Sequence, residues 1–361
     1  MSEIQIRAAV CTEFAAPLEI ETLTLAAPGL GEVQVKLAAC AVCHSDITFA
    51  DGGWGGDLPA VYGHEAAGHI SAVGDGVSSY AVGDPVMVSL IRACGTCPSC
   101  STGRPVLCTT PNPGGPLSRA DGTPVAAAMN CGAFADHVTV DASQIVKLPE
   151  DIPLDVASLL SCGVITGIGA VVNTAKVRAG ETVVVIGAGG VGLNAIQGAR
   201  IAGAARIVAV DMQPSKLDDA LEFGATDGIL ATDDKPWKAL RKIAPAGADV
   251  VLVTVGAIPA YQTAPKYLAF GGRLVAVGMP HTGHTAQWAP DVVAYMGTQY
   301  TGSKMGDVVI SRDIPWMVDL YKQGRLQLDN LISGRWSLDQ INEAIADTKS
   351  GKARRNVILF D

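Results

Sequence analysis

This sequence contains no run of basic residues. Lysine and arginine total 26 against 35 aspartates and glutamates, for a net charge of −9. No cationic stripe is available for a phosphate backbone, so nucleic acid is not an expected partner. Long apolar runs are missing as well. Stretches such as residues 183–186 reach glycine or charge within a few positions, far short of the ~20 residues that span a membrane as a helix. The first residues, Met1-Ser2-Glu3-Ile4-Gln5-Ile6-Arg7, hold no apolar signal-peptide core, which predicts a cytoplasmic protein. Nine cysteines, an odd number, argue against a disulfide framework in that reducing compartment. No internal repeat or low-complexity segment stands out.

What is present is a chain of 361 residues, 48% hydrophobic and 17% charged, enough for about two globular domains with a large core. Its most specific local feature is Cys94, Cys97, Cys100 and Cys108, spaced C-x2-C-x2-C-x7-C. Four thiolates at that spacing can close a tetrahedron around Zn²⁺ and leave no ligand position open. An iron–sulfur cluster is the rival, because ferredoxins carry a C-x2-C-x2-C run. Here the fourth cysteine comes eight positions on with no proline after it, which fits that pattern less well. A closed zinc site stabilises a fold but does no chemistry. The acidic composition weakens a nucleic-acid-binding zinc ribbon as its purpose.

The first half reads as β-rich. Short apolar or alternating runs at 33–37, 69–73, 85–88 and 137–140 are separated by Gly, Asp and Pro turns. Residues 52–56 and 111–116 read as loops, and the polar stretch onward to residue 130 as surface loop. Near Thr166 the pattern changes to alternating strands and helices. Strands are expected at 182–186, 206–210, 227–230, 249–255, 273–277 and 299–302, with helices at 191–202, 214–223, 235–243 and 259–268. Such alternation requires right-handed crossovers and a parallel sheet covered on both faces. The expected fold class is therefore α/β, with a Rossmann-type doubly wound parallel sheet of six strands. Helices at about 313–323 and 338–348 follow. A last strand at 356–360 is expected to return to the first domain.

The strand at 182–186 runs into Gly187-Ala188-Gly189-Gly190-Val191-Gly192, a G-x-G-x-x-G between strand and helix. Gly187 permits the tight turn, Gly189 lets a pyrophosphate approach the backbone, and Gly192 lets the helix pack closely on the strand. The helix N-terminus offers unpaired N–H groups to the phosphates. Asp211 ends the second strand, nineteen residues after Gly192. A carboxylate there accepts hydrogen bonds from the adenosine ribose and repels a 2′-phosphate, so NAD is favoured over NADP. Met212, the next residue, is not an arginine, which agrees. Asp211 as a solvated turn residue is the alternative. Lys216 could also reach the ribose, or could be a plain exposed helix lysine.

Cys43-His44-Ser45-Asp46, Gly63-His64-Glu65-Ala66-Ala67-Gly68 and Cys162-Gly163 lie too far apart for spacing alone to unite them. Taken in order with the four-cysteine lobe (residues 90–110), residues 187–192 and Asp211, they resemble the zinc-dependent medium-chain alcohol dehydrogenases. The likeness covers essentially the whole chain, and its motifs are independent of one another. It implies a β-rich, GroES-like catalytic domain over 1–165 and 303–361, and an NAD-binding domain over 166–302. It also implies two zinc ions per chain. One sits in the cysteine lobe. The other is a catalytic zinc held by Cys43, His64 and Cys162, with the fourth position open to water or substrate. Asp46 would orient His64, and Glu65 would sit behind the metal as an alternate ligand; a buried carboxylate paired with an arginine is the other reading of Glu65. Cys11, Cys40 and Cys131 have no motif partner and read as small packed residues.

In relatives of this kind the alcohol gives up a proton, here first to Ser45, and then a hydride to the nicotinamide. One departure is evident: many relatives place a histidine that relays this proton five residues after the first zinc cysteine, and this chain has Thr48 there. The resemblance assigns His44 and Arg355, with Arg354 beside it, to the pyrophosphate. Thr166 and Val191 press on the nicotinamide ring, and Gly190 belongs to the phosphate turn. Val277, Ser303 and Met305 fall where backbone groups bind the carboxamide. Trp54, Leu90, Met129 and Phe134 match positions lining an apolar alcohol pocket, though each could equally be core. Lys304 lies where some relatives have an apolar residue near the pocket mouth.

The implied activity is reversible NAD-linked oxidation of a primary or aromatic alcohol to an aldehyde. An S-(hydroxymethyl)glutathione (formaldehyde) dehydrogenase is the alternative. Those enzymes use an acidic residue near Trp54 and an arginine four residues after the last lobe cysteine. This chain has Trp54 and Asn112, with Asp51 and Asp57 out of register. A polyol dehydrogenase and a non-catalytic nucleotide-binding structural protein are further alternatives. The family implies a homodimer or homotetramer, with residues 299–302 as a candidate pairing edge.

Overall fold

A computed structural model describes residues 2–112 and 115–360. It divides into two compact units, one of residues 1–162, 309–321 and 328–361, the other of residues 163–308 and 322–327.

The first unit is built on two sheets. A small barrel closes in the order Ile4–Cys11, Glu19–Leu25, Leu117–Ser118, Pro124–Ala127 and Ala60–Val61. A seven-stranded sheet runs Ile145–Lys147, Pro85–Ser89, Glu65–Val73, Glu32–Ala41, Arg355–Leu359 and Ile332–Ser337, with His137–Asp141 also paired to Glu32–Ala41. The C-terminal strand Arg355–Leu359 lies antiparallel to Glu32–Ala41, pairing Ile358 with Cys40. Alternation explains the inward faces: Val33, Val35 and Leu37 are fully buried, and each such side chain contributes roughly 1.5–3 kcal/mol of burial free energy. Cys11, Cys40 and Cys131 are buried thiols in this unit.

The stretch from 111 to 130, expected as surface loop, is different in the structure. Leu117–Ser118 and Pro124–Ala127 form an antiparallel pair that takes part in closing the barrel. Strands of two and four residues show too little alternation to be read as such. Pro113 and Gly114, part of the expected loop at 111–116, lie outside the described residues.

The second unit holds a six-stranded, wholly parallel sheet in the order Asp227–Leu230, Arg206–Asp211, Thr182–Ile186, Ala248–Val253, Leu268–Ala276, Gln299–Gly302. Numbered from Thr182–Ile186, that is 3-2-1-4-5-6, the doubly wound dinucleotide order. Val183, Val184 and Val185 are all fully buried, because helices cover both faces and no side of the strand meets water. The expected helix at 259–268 breaks into Ile258–Thr263 and a 3-10 turn, Ala264–Tyr267. Pro265 has no N–H to continue the α-helical ladder. The strand expected at 273–277 begins earlier, at Leu268, and crosses a register shift. The helix Ile310–Lys322 starts before the expected residue 313 and carries Pro315 inside it.

Candidate active site and nucleotide site

Cys43 is the N-cap of the short helix His44–Ala50, and Asp46 is its third residue. The Cys43 N–H donates to Asp46 Oδ2 at 3.0 Å, which is half of a capping box and a local reason for the C-x-x-D spacing. The other carboxylate oxygen accepts from the Gly63 N–H and from His64 Nδ1, both at 2.9 Å. Gly63 has φ of +90°, and a Cβ there would lie 2.5 Å from the Phe134 nitrogen. Only glycine allows the chain to turn His64 inward at this point. With Nδ1 engaged by Asp46, His64 Nε2 is buried and has no hydrogen-bond partner.

Cys162 follows the 3-10 turn Leu159–Ser161. That turn is pinned to the sheet by Ser161 Oγ donating to the Ala66 carbonyl at 3.1 Å and Ser89 Oγ donating to the Ser161 carbonyl at 2.9 Å. Glu65 opens the strand Glu65–Val73. Ligand atoms of Cys43, His64, Glu65 and Cys162 all fall within 4.8 Å of one another, and all four residues are buried. Two sulfurs, an imidazole nitrogen lacking a partner and a carboxylate in reserve make a donor set that suits Zn²⁺ with a position open.

The electrostatics agree. The Cys43 thiol is held well below its ordinary range because it accepts a hydrogen bond from Cys162, with His64 adding to the effect; burial opposes both. Cys162 is pushed well up by donating that bond and by burial. Burial alone would lower His64, but Asp46 outweighs it and the net shift is upward. Burial raises Glu65 to about 7, against the pull of Arg355. Arg355 is itself buried, and its Nη2 is paired with Glu65 Oε2. Of the two readings of Glu65, the structure therefore has the buried carboxylate on an arginine, and the same carboxylate also lies in the ligand cluster. The sequence placed Arg355 at a phosphate. It gave no sign of this pairing, which joins residues far apart in the chain.

Ser45 Oγ is 3.4 Å from Cys43 Sγ, and His44 is exposed. The Thr48 hydroxyl donates to the His44 carbonyl at 2.9 Å, one helical turn back. Its hydrogen is spent on the helix backbone. Trp54 stands edge-on to Phe49 at 5.1 Å, and Phe49 stacks on Tyr62 at 6.3 Å. Phe134 is fully buried in the hydrophobic core, while Leu90 and Met129 are partly buried against it. Asp51, one of the out-of-register acids, is paired with Lys349 at 2.8 Å.

The four lobe cysteines also converge within 4.8 Å, half-buried. The Cys97 N–H donates to Cys94 Sγ at 3.2 Å and the Cys94 N–H to Cys108 Sγ at 3.5 Å. Hydrogen bonds from Thr110 and nearby N–H groups bring Cys94 down to about 5. Backbone donors aimed at sulfur stabilise thiolates, the form that binds metal.

In the second unit, Gly187 has φ of +97°, and a Cβ on Gly192 would lie 1.8 Å from the Gly187 carbonyl oxygen. Those two glycines are required by the protein itself. A Cβ on Gly189 would meet nothing within 4 Å, leaving open space beside the N-cap of the helix Gly190–Ile201. This suits a pyrophosphate. Asp211 accepts from the Ala188 N–H at 2.8 Å and the Gln213 N–H at 3.0 Å, which fixes its carboxylate beside the glycine turn while each oxygen keeps acceptor capacity. Lys216 is not an exposed helix lysine: it is buried, with Nζ 3.7 Å from Asp219. Thr166 Oγ1 is 3.8 Å from Met305 Sδ. Val277 donates its N–H to Val253, and Ser303 its N–H to Ala276. Lys304 is exposed.

Comparison with known proteins bears on both units. The family model "Alcohol dehydrogenase GroES-like domain" matches residues 29–150, and "Zinc-binding dehydrogenase" matches residues 190–323. The chain is 36% identical to an NDMA-dependent alcohol dehydrogenase of Amycolatopsis methanolica, with 99% of each chain covered. It is 32% identical to an S-(hydroxymethyl)glutathione dehydrogenase of Paracoccus denitrificans, covering 99% of this chain and 100% of the relative. The crystal structure of benzyl alcohol dehydrogenase from Acinetobacter calcoaceticus superposes with a TM-score of 0.93 at 32% identity, over 99% of this chain and 100% of that one.

Proposed function

The chain belongs to the zinc-dependent medium-chain alcohol dehydrogenases, oxidoreductases that use zinc and a nicotinamide cofactor, and from that premise we propose that it interconverts a primary or aromatic alcohol and its aldehyde using NAD. The observation that carries this reading is the buried cluster of Cys43, His64 and Cys162, with His64 Nε2 left without a partner and Asp46 fixed behind Nδ1. A zinc ion in that cluster supplies the Lewis acidity that makes an alcohol acidic near neutral pH, and the nicotinamide supplies the hydride acceptor.

The chain's own residues do the rest. Asp46 holds His64 in the tautomer that offers Nε2. Ser45 takes the alcohol proton at Oγ and in the same exchange gives up its own hydroxyl hydrogen, which ends in water. Thr48 does not carry it further, because its hydroxyl hydrogen is already given to the His44 carbonyl. Glu65 and Arg355 neutralise each other beside the cluster. Asp211 at the end of the second strand supports NAD over NADP. The lobe cysteines support a second, closed zinc, for two per chain. A homodimer or homotetramer is supported by the exposed strand Gln299–Gly302, which pairs only with Leu268–Ala276 among the described residues. All nine cysteines are free, which supports a reducing, cytosolic setting. No single helix among the described residues is long and apolar enough to cross a membrane.

Two measurements test the reading. NADH formation is followed over short, long and benzylic alcohols, beside formaldehyde with glutathione. Hexanol or benzyl alcohol is expected to turn over faster; preference for the glutathione adduct would install the second activity, which the Paracoccus relative bears by name. Trp54 and Asn112, and the engagement of Asp51 with Lys349, favour the first. Cys43→Ser is then expected to abolish turnover while the protein retains about one zinc per chain. Wild-type turnover in that variant would remove the site from the chemistry.

A further inference from the structure

Residues 303–307 are held in an unusual conformation by a side chain that no motif singles out. Met305, Gly306 and Asp307 stand consecutively in the left-handed region, with φ of 49°, 67° and 48°. Glycine adopts that region freely. Methionine and aspartate do not, and such residues persist there only where their surroundings fix them.

Thr174 supplies much of the fixing. Its Oγ1 lies 2.8 Å from Asp307 Oδ2 and 2.7 Å from Ser303 Oγ. A carboxylate oxygen only accepts, so Thr174 gives its single hydrogen to Asp307 and receives one from Ser303. Both ends of the segment therefore hang on one hydroxyl. The neighbouring Asn173 Nδ2 donates to the Gly306 carbonyl at 3.2 Å. On the opposite side, backbone meets backbone. A Cβ on Gly306 would lie 2.4 Å from the Ile165 carbonyl oxygen, and one on Gly169 would lie 2.4 Å from that of Gly306.

Asn173 and Thr174 belong to a π-helical turn, Ala170–Ala175, that continues the α-helix Gly163–Gly169. Such turns are rare and recur at functional sites. The widened turn carries both side chains that hold the segment, and the segment itself follows directly from the last strand of the sheet, Gln299–Gly302.

Resting on the reading that Ser303 and Met305 meet the cofactor's carboxamide, we propose that Thr174 is a positioning residue for the nicotinamide. Its hydroxyl, bridging Ser303 to Asp307, sets the backbone of residues 303–305 for that recognition. The adenosine half of the cofactor is served by other residues, around Gly189 and Asp211. Loss of the bridge should therefore be felt at one end of the dinucleotide only.

The test uses the full-length, zinc-loaded protein. NADH and ADP-ribose, which lacks the nicotinamide, are titrated separately, and KM is measured for NAD and for the alcohol. Thr174→Val removes the hydroxyl with little change of shape, and Thr174→Ser restores it. Asp307→Asn is a second, milder variant, should the valine protein fail to fold. Thr174→Val is expected to weaken NADH about tenfold, the scale of one lost hydrogen bond. ADP-ribose affinity should stay within about twofold and KM should rise for NAD more than for the alcohol. Thr174→Ser should recover most of the loss, and Asp307→Asn should shift the same values less. Equal loss of NADH and ADP-ribose, or unchanged NADH affinity, would overturn the proposal. Wild-type protein that binds NADH no more tightly than ADP-ribose would remove the underlying nicotinamide reading, a separate and recognisable failure.

Discussion

At the scale of single residues, Asp46 accepts three hydrogen bonds, from the N–H groups of Cys43 and Gly63 and from His64 Nδ1. Two of these donors belong to residues of the candidate metal cluster and the third to a neighbour of one, so one buried carboxylate aligns the start of a helix with an imidazole eighteen residues on. An Asn side chain has only one acceptor oxygen, so Asp46→Asn must abandon part of this set and can present an N–H to a donor. Zinc affinity at this site is expected to fall about 10–100-fold, the usual effect of losing a partner behind a ligand. Competition against a chelating dye measures it, and unchanged affinity would separate Asp46 from the metal. The i,i+3 spacing of Cys43 and Asp46 follows a local rule of helix ends, although no helix was expected at 44–50. That Asp46 meets His64 was implied by the family likeness, not by spacing, and the bond from the Gly63 N–H came only with the structure. The partner of Glu65 was open at the sequence level, since an ion pair between residues 65 and 355 leaves no periodic trace.

Among the elements, those with strong local chemistry were the readable ones. The strand–glycine–helix turn at 182–201 is written in consecutive residues, because steric limits at Gly187 and Gly192 act within the turn itself. The cysteine lobe is also written locally. Its N–H groups point at its own sulfurs, and a zinc ion held by those four thiolates would stabilise the fold of the lobe. Cys97→Ser is therefore expected to lower the thermal midpoint or disturb assembly first, with turnover reduced only as a consequence. If kcat falls sharply in protein of wild-type midpoint and wild-type oligomeric state, the lobe has a direct part in catalysis. The barrel strands at Leu117–Ser118 and Pro124–Ala127 were not readable. Their pairing is decided by the strands they join, Glu19–Leu25 and Ala60–Val61, which lie far away in sequence. The π-turn at Ala170–Ala175 was invisible for a related reason: nothing in its composition distinguishes it from α-helix.

For the molecule as a whole, acid stability in the nucleotide unit has an identifiable contributor. Burial pushes the Glu181 carboxyl upward, but Arg273 at 2.6 Å and the Arg178 N–H outweigh it, so its folded value lies below the ordinary one. A carboxylate lowered by folding adds stability above its unfolded value of about 4.3, and that contribution is lost as pH falls through the folded value. Arg273 belongs to the strand Leu268–Ala276, and Glu181 immediately precedes Thr182–Ile186, so the pair ties two strands of the sheet. Glu181→Gln is expected to lower the unfolding midpoint at pH 7 and to make its decline on acidification below about pH 5 shallower. An acid limb identical to that of the wild type would show that this pair does not contribute.

The sequence by itself determined what short-range forces decide: the glycine turn, the closed cysteine lobe, the Cys43–Asp46 helix cap and the alternation that demands a parallel sheet. It also supplied the types of residue that a zinc site needs. Only the tertiary structure decided which of those residues meet. Cys162 reaches Cys43 and His64 because a serine-pinned turn lies against the strand Glu65–Val73, and Arg355 finds Glu65 because the last strand returns beside Glu32–Ala41. Thr174 acquires its place because a widened helical turn faces a left-handed segment about 130 residues later in the chain. Side-chain type and spacing act within a few residues, whereas convergence is fixed by sheet order and core packing, which involve the whole chain at once.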